Sequence, residues 1–242
     1  MDRALAIAAS GMAAQQRNLD VIADNLANAD VTGFKAATAT FAAVGVAGRV
    51  GLGTVTLGTR LLLTQGKLSK SGGPFDLAIR GPGFFAVRNA EGHVAYTRDG
   101  SFARGADGRL RDAAGWHLEG LRIPSDALAA HVAPSGVVSV TVRGAIRVVG
   151  RIRLAEFAAP QALRTIGSAL FIATHASGPP RMMSAGGVHE PALAFGMLER
   201  ANVSIVEAMM EILTAQRAYE ANAKGVQAAD EMLRIADNLN RG

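Results

Sequence analysis

The chain has 242 residues, 49% of them hydrophobic but only 5% aromatic, and a formal net charge of +5. The length allows one large domain or two modest ones with a real core. With no cysteine, a disulfide framework, a thiolate metal site and a cysteine nucleophile are excluded. The charge is uneven. Residues 1–35 carry three basic against four acidic side chains and residues 201–242 four against six, so the surplus sits between them. There the arginines stand singly along alternating stretches, without the aromatic clustering that nucleic-acid binding uses, so neither nucleic acid nor membrane insertion is expected. No apolar run reaches the roughly 18 residues of a membrane span. The start, MDRALAIAASGMAA, has the small residues of a signal peptide, but its apolar spacing continues past any cleavage point, so no cleaved leader is expected.

Glycine and proline divide the chain. Only Gly11, Gly225 and Gly242 lie outside residues 33–196, and every proline falls between Pro74 and Pro191. Two ends free of helix breakers therefore flank a middle full of turn makers. At the N-terminus Leu5, Met12, Leu19 and Leu26 recur every seven residues, with Ala8, Gln15 and Ile22 three residues after the first three. That spacing predicts an amphipathic helix with a heptad seam. It ends in NLANADVTGFK, a polar, tightly turning stretch.

The middle reads as short antiparallel strands. In DLAIRGPGFFAV, Leu77 and Ile79 precede a Gly-Pro-Gly kink and an apolar strand from Phe84 to Val87. Turn signals follow at EGH, RDGS, ADGR and AAGW. Asp107-Gly108 is a hairpin dipeptide because its residues tolerate positive φ. The β pattern continues through GVVSVTVRGAIRVVGRIRLAEF.

The C-terminal run is the longer helix. Ile205, Ile212, Tyr219, Val226 and Leu233 recur every seven residues, supported by Ala208, Met209, Ala215, Ala229 and Ala236. Ser204 and Glu207 have capping-box spacing at its start, where each satisfies one orphan N–H. A helix of this length with one apolar stripe needs a partner to bury it. Alanine-rich seams at opposite chain ends suit subunits that bring both termini together and stack them against neighbours. The fold class expected is α+β: terminal helices paired as a coiled-coil-like stem, with a central antiparallel β-rich domain. Its divisions are 1–35 (helix and turn), 36–75 (extended connector), 76–195 (β-rich domain) and 196–242 (C-terminal helix).

No catalytic, cofactor-binding or metal-binding residues emerge. His93, His117, His131, His175 and His189 stand singly, without metal-ligand spacing. GPGFF has no helix after it to cradle a phosphate, and GTRLLLTQGKLS lacks the Walker spacing.

Several stretches carry a resemblance. NLANADVTGFK resembles the N-terminal signature of flagellar basal-body rod and hook proteins. LERANVSIVEAMMEILTAQRAYEANAKGVQAADEML resembles that family's closing segment, including Asn202-Val203 and the block Gln216-Arg217-Ala218-Tyr219-Glu220. TQGKLSKSGGPFDLAIRGPGFFAV and YTRDGSFARGADGRL resemble its rod domain, nearest the distal rod protein. The chain departs from the pattern at Asp30 and Val31, and residues 36–52 are shorter than the insertion that distal members often carry.

The resemblance implies a non-enzymatic axial subunit that polymerises into a hollow helical drive shaft across the periplasm, transmitting torque and conducting exported flagellar proteins. The implied partners are copies of itself, other flagellar rod and hook proteins, the L- and P-ring bushing and the flagellar type III export apparatus. The implied location is the periplasmic rod of the basal body. Subunit packing falls to Leu5, Met12, Leu19, Ile22, Leu26, Ile205, Met209, Ile212, Tyr219, Val226 and Leu233. A helix-exit turn falls to Asn25, Asn28, Asp30, Gly33, Phe34 and Lys35, with Asn28 and Asp30 satisfying backbone groups, Gly33 taking positive φ and Phe34 anchoring the exit. Two alternatives stand beside this reading. One is the proximal rod subunit of the same family. The other is a periplasmic cell-wall-associated hydrolase, which needs a carboxylate pair that no helix or strand context here supplies.

Overall fold

A computed structural model describes residues 2–45, 51–167, 169–187 and 190–240, apart from the side chains of residues 2–4, 233 and 236–240. Leu233 of the expected seam, part of the short stretch 36–52, His189 and the side chain of Ala236 therefore lie outside the description. The chain forms two compact units. One comprises residues 1–27, 37–62 and 203–242, and the other residues 28–36 and 63–202.

The first unit is built on α1 (Asp2–Ala27) and α2 (Ile205–Asn240). By its rise of 1.5 Å per residue α2 is about 54 Å long, so it outruns α1. At its start Ser204 Oγ accepts the Glu207 N–H at 3.3 Å, and the Ser204 carbonyl takes the first helical bond from Ala208 at 2.9 Å. The two helices pack on each other. Ile22, Ala208 and Ala215 are buried together, with Leu19, Leu26 and Ile212 packed against them.

The stretch expected as an extended connector, 36–75, is paired over much of its length. Strands β1 (Ala37–Ala43) and β2 (Thr54–Leu61) make an antiparallel hairpin, Ala37 opposite Leu61 and Ala43 opposite Thr54, with a bulge between Thr40 and Phe41. A lone two-stranded ribbon is marginal in water, and this one is tied to α1 at both ends. Asn25 mimics a strand neighbour there: its Nδ2 donates to the Ala37 carbonyl at 2.7 Å and its Oδ1 accepts the Ala37 N–H at 2.8 Å. Ser10 Oγ accepts the Thr54 N–H at 3.0 Å.

The second unit is antiparallel β throughout its described strands. Strands β3 (Leu68–Lys70) and β4 (Leu77–Arg80), early in the unit, pair with Met197–Glu199 and Ala192–Phe195 at its end. This pairing brings residues 64–66 and 199–202 together. Next come β5 (Phe84–Arg88) and β6 (Val94–Thr97), which form a hairpin. Strand β5 lies inside the main sheet and also pairs with His117–Leu118 and Arg153–Glu156. Buried on both faces, β4 and β5 read as near-continuous apolar runs. Their Leu77, Ile79, Phe85 and Val87 join Leu110, Ile123, Ile152 and Leu154 in one core. A three-stranded sheet of Ala129–Val132, Val137–Val142 and Ala145–Arg151 contributes Val138 and Val140 to it. A hairpin forms around Asp107-Gly108, with Arg104 opposite Leu110, but only Gly108 takes positive φ, at +78°, so the loop runs over residues 105–109 in place of a two-residue turn.

Candidate functional site: a buried hub and a helix face

In the β-rich unit, the stretch after α1 closes on itself and on the end of the unit. The Asn28 carbonyl accepts the Val31 N–H at 3.0 Å and the Val31 carbonyl the Phe34 N–H at 3.3 Å, while Gly33 donates to the Glu199 carbonyl at 2.7 Å. Gly33 has φ +68°, and a Cβ built on it would stand 2.2 Å from the Asp99 nitrogen. Both the conformation and the space therefore demand glycine. Phe34 is buried and Asp30 exposed.

Lys35 is fully buried. Its Nζ donates to Glu199 Oε1 at 2.6 Å and to the Thr64 carbonyl at 2.8 Å. Glu199, also fully buried, accepts the Gly66 N–H at 2.9 Å on the same oxygen, and Arg98 Nη1 at 3.2 Å on the other. Arg98 Nη2 reaches the Gly81 carbonyl at 2.8 Å, its guanidinium lies 5.4 Å from the Phe84 ring centroid, and its buried Nε has no hydrogen-bond partner among the described residues. Beside this cluster Asn202 Oδ1 accepts the Ala36 N–H at 2.8 Å and its Nδ2 donates to Thr64 Oγ1 at 2.9 Å.

Two cations thus share one carboxylate away from water. Desolvation pulls the Lys35 pKa below its ordinary value, and Glu199 pulls back against it. Arg98 is lowered by the same desolvation and likewise opposed by Glu199. A buried charge persists only with partners of this quality. Glu199 therefore gathers residues 33–35, 64–66 and Arg98 around itself, and all but Arg98 lie within a few residues of where the chain passes between its two units. Its work is positional.

Among the expected turn residues, the structure brings Gly33, Phe34 and Lys35 into this assembly, while Asn25 serves the other unit. Sequence reasoning missed Arg98 and Glu199, and met Asn202 only as part of the resemblance, without its contacts. The signal available was a lone charge at the end of an apolar strand, Arg98 in VAYTR and Glu199 in FGMLE.

In the helical unit, the expected packing residues divide. Ile22 is buried, while Leu5, Met12, Leu19, Leu26, Ile212 and Val226 are half-buried. Ile205, Met209 and Tyr219 are exposed, as are Val206, Met210 and Leu213. The row that α2 buries is Ala208, Ala215 and Ala229. The half-buried Asn222 completes its heptad spacing. A Cβ on Gly11 would meet the Asn222 amide at 3.0–3.2 Å, so this glycine of α1 makes room for it.

No group of His, Asp and Glu among the described residues is arranged to hold a metal, and no described helix is long and apolar enough to cross a membrane. A braced β-rich unit, with a helix pair that leaves large apolar residues uncovered, is the anatomy of a structural subunit.

Comparison with known proteins agrees. Family profiles match at residues 5–35 (flagella basal body rod protein), 78–140 (flagellar hook protein FlgE/F/G D1 domain) and 195–239 (flagellar basal body rod FlgEFG protein C-terminal). A flagellar basal-body rod protein FlgG of Borreliella burgdorferi is 37% identical over 264 positions, covering 100% of both chains. Its counterpart in Agrobacterium fabrum is 37% identical over 96% of this chain and 97% of its own. A flagellar basal-body rod protein FlgF of Caulobacter vibrioides is 36% identical over 98% and 97%. The chain belongs to the flagellar basal-body rod protein family, on its distal-rod side. As a member it is a structural component of the flagellum and not an enzyme.

Proposed function

We propose that this subunit polymerises through α1 and α2 into a hollow helical rod, the helices packing as a coiled-coil-like stem. The rod crosses the periplasm inside the L- and P-ring bushing, transmits torque and conducts later flagellar proteins. The subunit reaches it through the flagellar export apparatus. Of the expected packing residues, Ile22 is already buried within the chain, so packing between copies falls to the exposed Ile205, Met209 and Tyr219, with the half-buried Leu5, Met12, Leu19, Leu26, Ile212 and Val226 beside them.

The observation that carries this reading is the uncovered apolar surface of α2. Val206 is 67% exposed, and Met209, Met210 and Leu213 are each more than half exposed. A single chain gains nothing from such a surface, whereas burial between copies stabilises at about 25 cal/mol per Å² of apolar area. The test is imaging of purified basal bodies carrying a labelled copy of this chain. Label along the rod below the hook is the expected result; label confined to the hook or absent from the basal body refutes the proposal.

A further inference from the structure

A groove of about 570 Å³ opens in the β-rich unit, lined by Arg88, Arg109, Arg122, His117 and Glu119 among others. Glu119 is ion-paired to Arg88, which cancels one cation and leaves two. Asp107, 3.8 Å from Arg109, is already engaged by Arg111 at 2.8 Å. Arg109 Nη1 stands 3.1 Å from His117 Nε2. A guanidinium only donates, so that ring nitrogen accepts and the imidazole is neutral. Desolvation first, then the Arg109 charge, hold the His117 pKa below its ordinary value. The arginines thus set the sign of the groove.

Val149 also lines it, and Val149 belongs to the outer strand Ala145–Arg151 of the three-stranded sheet. Among the described residues that strand is hydrogen-bonded to Val137–Val142 alone, so its other edge offers a row of backbone donors and acceptors to an added strand. Ile146 and Val148, opposite Thr141 and Ser139, are 79% and 63% exposed. Arg147 and Arg151 on the same strand are exposed and make no ion pair among the described residues.

We propose that the free edge of Ala145–Arg151 and the groove beside it take an acidic, extended segment of a different protein, added as a fourth strand. Backbone pairing along the edge supplies affinity, Ile146 and Val148 take the partner's apolar positions, and the arginines take its carboxylates. A second copy fits badly, because antiparallel edge-to-edge pairing centred on Val149 sets Arg147 opposite the copy's Arg151, and pairing centred on Arg147 sets that arginine opposite itself, and like charges across a strand pair repel. Single-stranded nucleic acid needs aromatic faces on which to stack, and the imidazole of His117 is the one ring in the lining. A membrane surface needs apolar groups that protrude into it, whereas here the cations line a recess. The inference is independent of rod assembly, since neither helix takes part.

The test uses the full chain and a fluorescein-labelled ten-residue peptide of alternating valine and glutamate, followed by anisotropy at low salt. Saturable binding is expected. Arg122→Glu should weaken it at least about tenfold, the effect of roughly 1.4 kcal/mol. Val148→Pro, which puts a ring on the edge strand, should weaken it similarly, with unfolding midpoints checked for both variants. A peptide of equal charge with prolines in place of alternate valines should bind at least about tenfold more weakly, because it cannot form the ladder. Absence of saturable binding overturns the proposal. So does equal binding of the proline peptide, insensitivity to Arg122→Glu, or tighter binding of a single-stranded oligonucleotide or phosphatidylglycerol vesicles. Self-association of the chain that Val148→Pro abolishes would assign the edge to a second copy instead.

Discussion

Two residues decide whether the turn after α1 holds. Gly33 combines φ +68° with an approach to the Arg98–Asp99 backbone that leaves no room for a Cβ. From the sequence, a defect here looks like one of assembly, with the β-rich domain unharmed. The structure puts Gly33 inside the β-rich unit, so the defect spreads. Gly33→Val should destabilise that unit by at least about 2 kcal/mol, left-handed strain alone costing about 1–2. A thermal melt followed in the near-ultraviolet checks this, and an unchanged midpoint would show that the turn relaxes freely. Glu199 is the other residue. Glu199→Gln leaves Lys35 and Arg98 buried without their anion and should cost about 3–5 kcal/mol. Adding Lys35→Met removes one stranded charge, so the double variant should be more stable than Glu199→Gln alone. Denaturant unfolding of the four proteins in this cycle reads the coupling directly; additive effects would mean the ion pair carries none.

At the scale of the element, α2 holds more apolar surface than α1 can cover. Periodicity picked out Ile205, Ile212, Tyr219 and Val226, with Ala208, Ala215 and Ala229 only in support. The row buried within the chain is the small one, Ala208, Ala215 and Ala229 with Asn222, because two helices approach closest where side chains are smallest. Heptad spacing shows that a helix has partners; it does not say which stripe faces which partner. The hairpin β1–β2 escaped notice for a related reason. Its threonines, alanines and glycines carry a weak strand signal, and what stabilises it comes from Asn25 and Ser10 on α1. The Glu199 hub was invisible because a lone charge in a sequence is by default a solvated one. The chain was legible where apolar periodicity is local, in α1, α2, β4 and β5, and obscure where distant polar groups meet.

One contact in the helix pair can be weighed by mutation. Gly11→Ala gains roughly 1 kcal/mol of helix propensity but presses a methyl on the Asn222 amide, 3.0 Å away. The same substitution should therefore stabilise more in an Asn222→Ala background than in the wild type, as read from helix melting at 222 nm. Equal gains in both backgrounds would mean the amide swings aside and the Gly11–Asn222 fit has no energetic weight.

For the whole molecule, the question is what covers the outer stripes of α2. Ile212→Asp answers poorly, because Ile212 packs against the Ile22–Ala208–Ala215 cluster and the variant would weaken the single chain as well as any polymer. Leu213 separates the two effects. It is more than half exposed, so Leu213→Asp should change the stability of the isolated chain by less than about 0.5 kcal/mol, the range of surface substitutions. In a helical assembly the same carboxylate would be desolvated at every subunit, at several kcal/mol each unless it takes up a proton. The expected outcome is a monomer that melts normally, coupled to loss of swimming and of hooks on basal bodies when the variant is the sole copy in the cell. Glu211→Gln, at an exposed polar neighbour, is the matched control and should swim. Normal hooks with Leu213→Asp would place that side of α2 against water or a lumen, and because Ile205 and Met209 stand on the same i, i+4 row as Leu213, the contact between copies would then not run through that row. A monomer already destabilised by Leu213→Asp would instead mean that α1 and α2 pair differently in solution, and the assembly argument would have to start from that pairing.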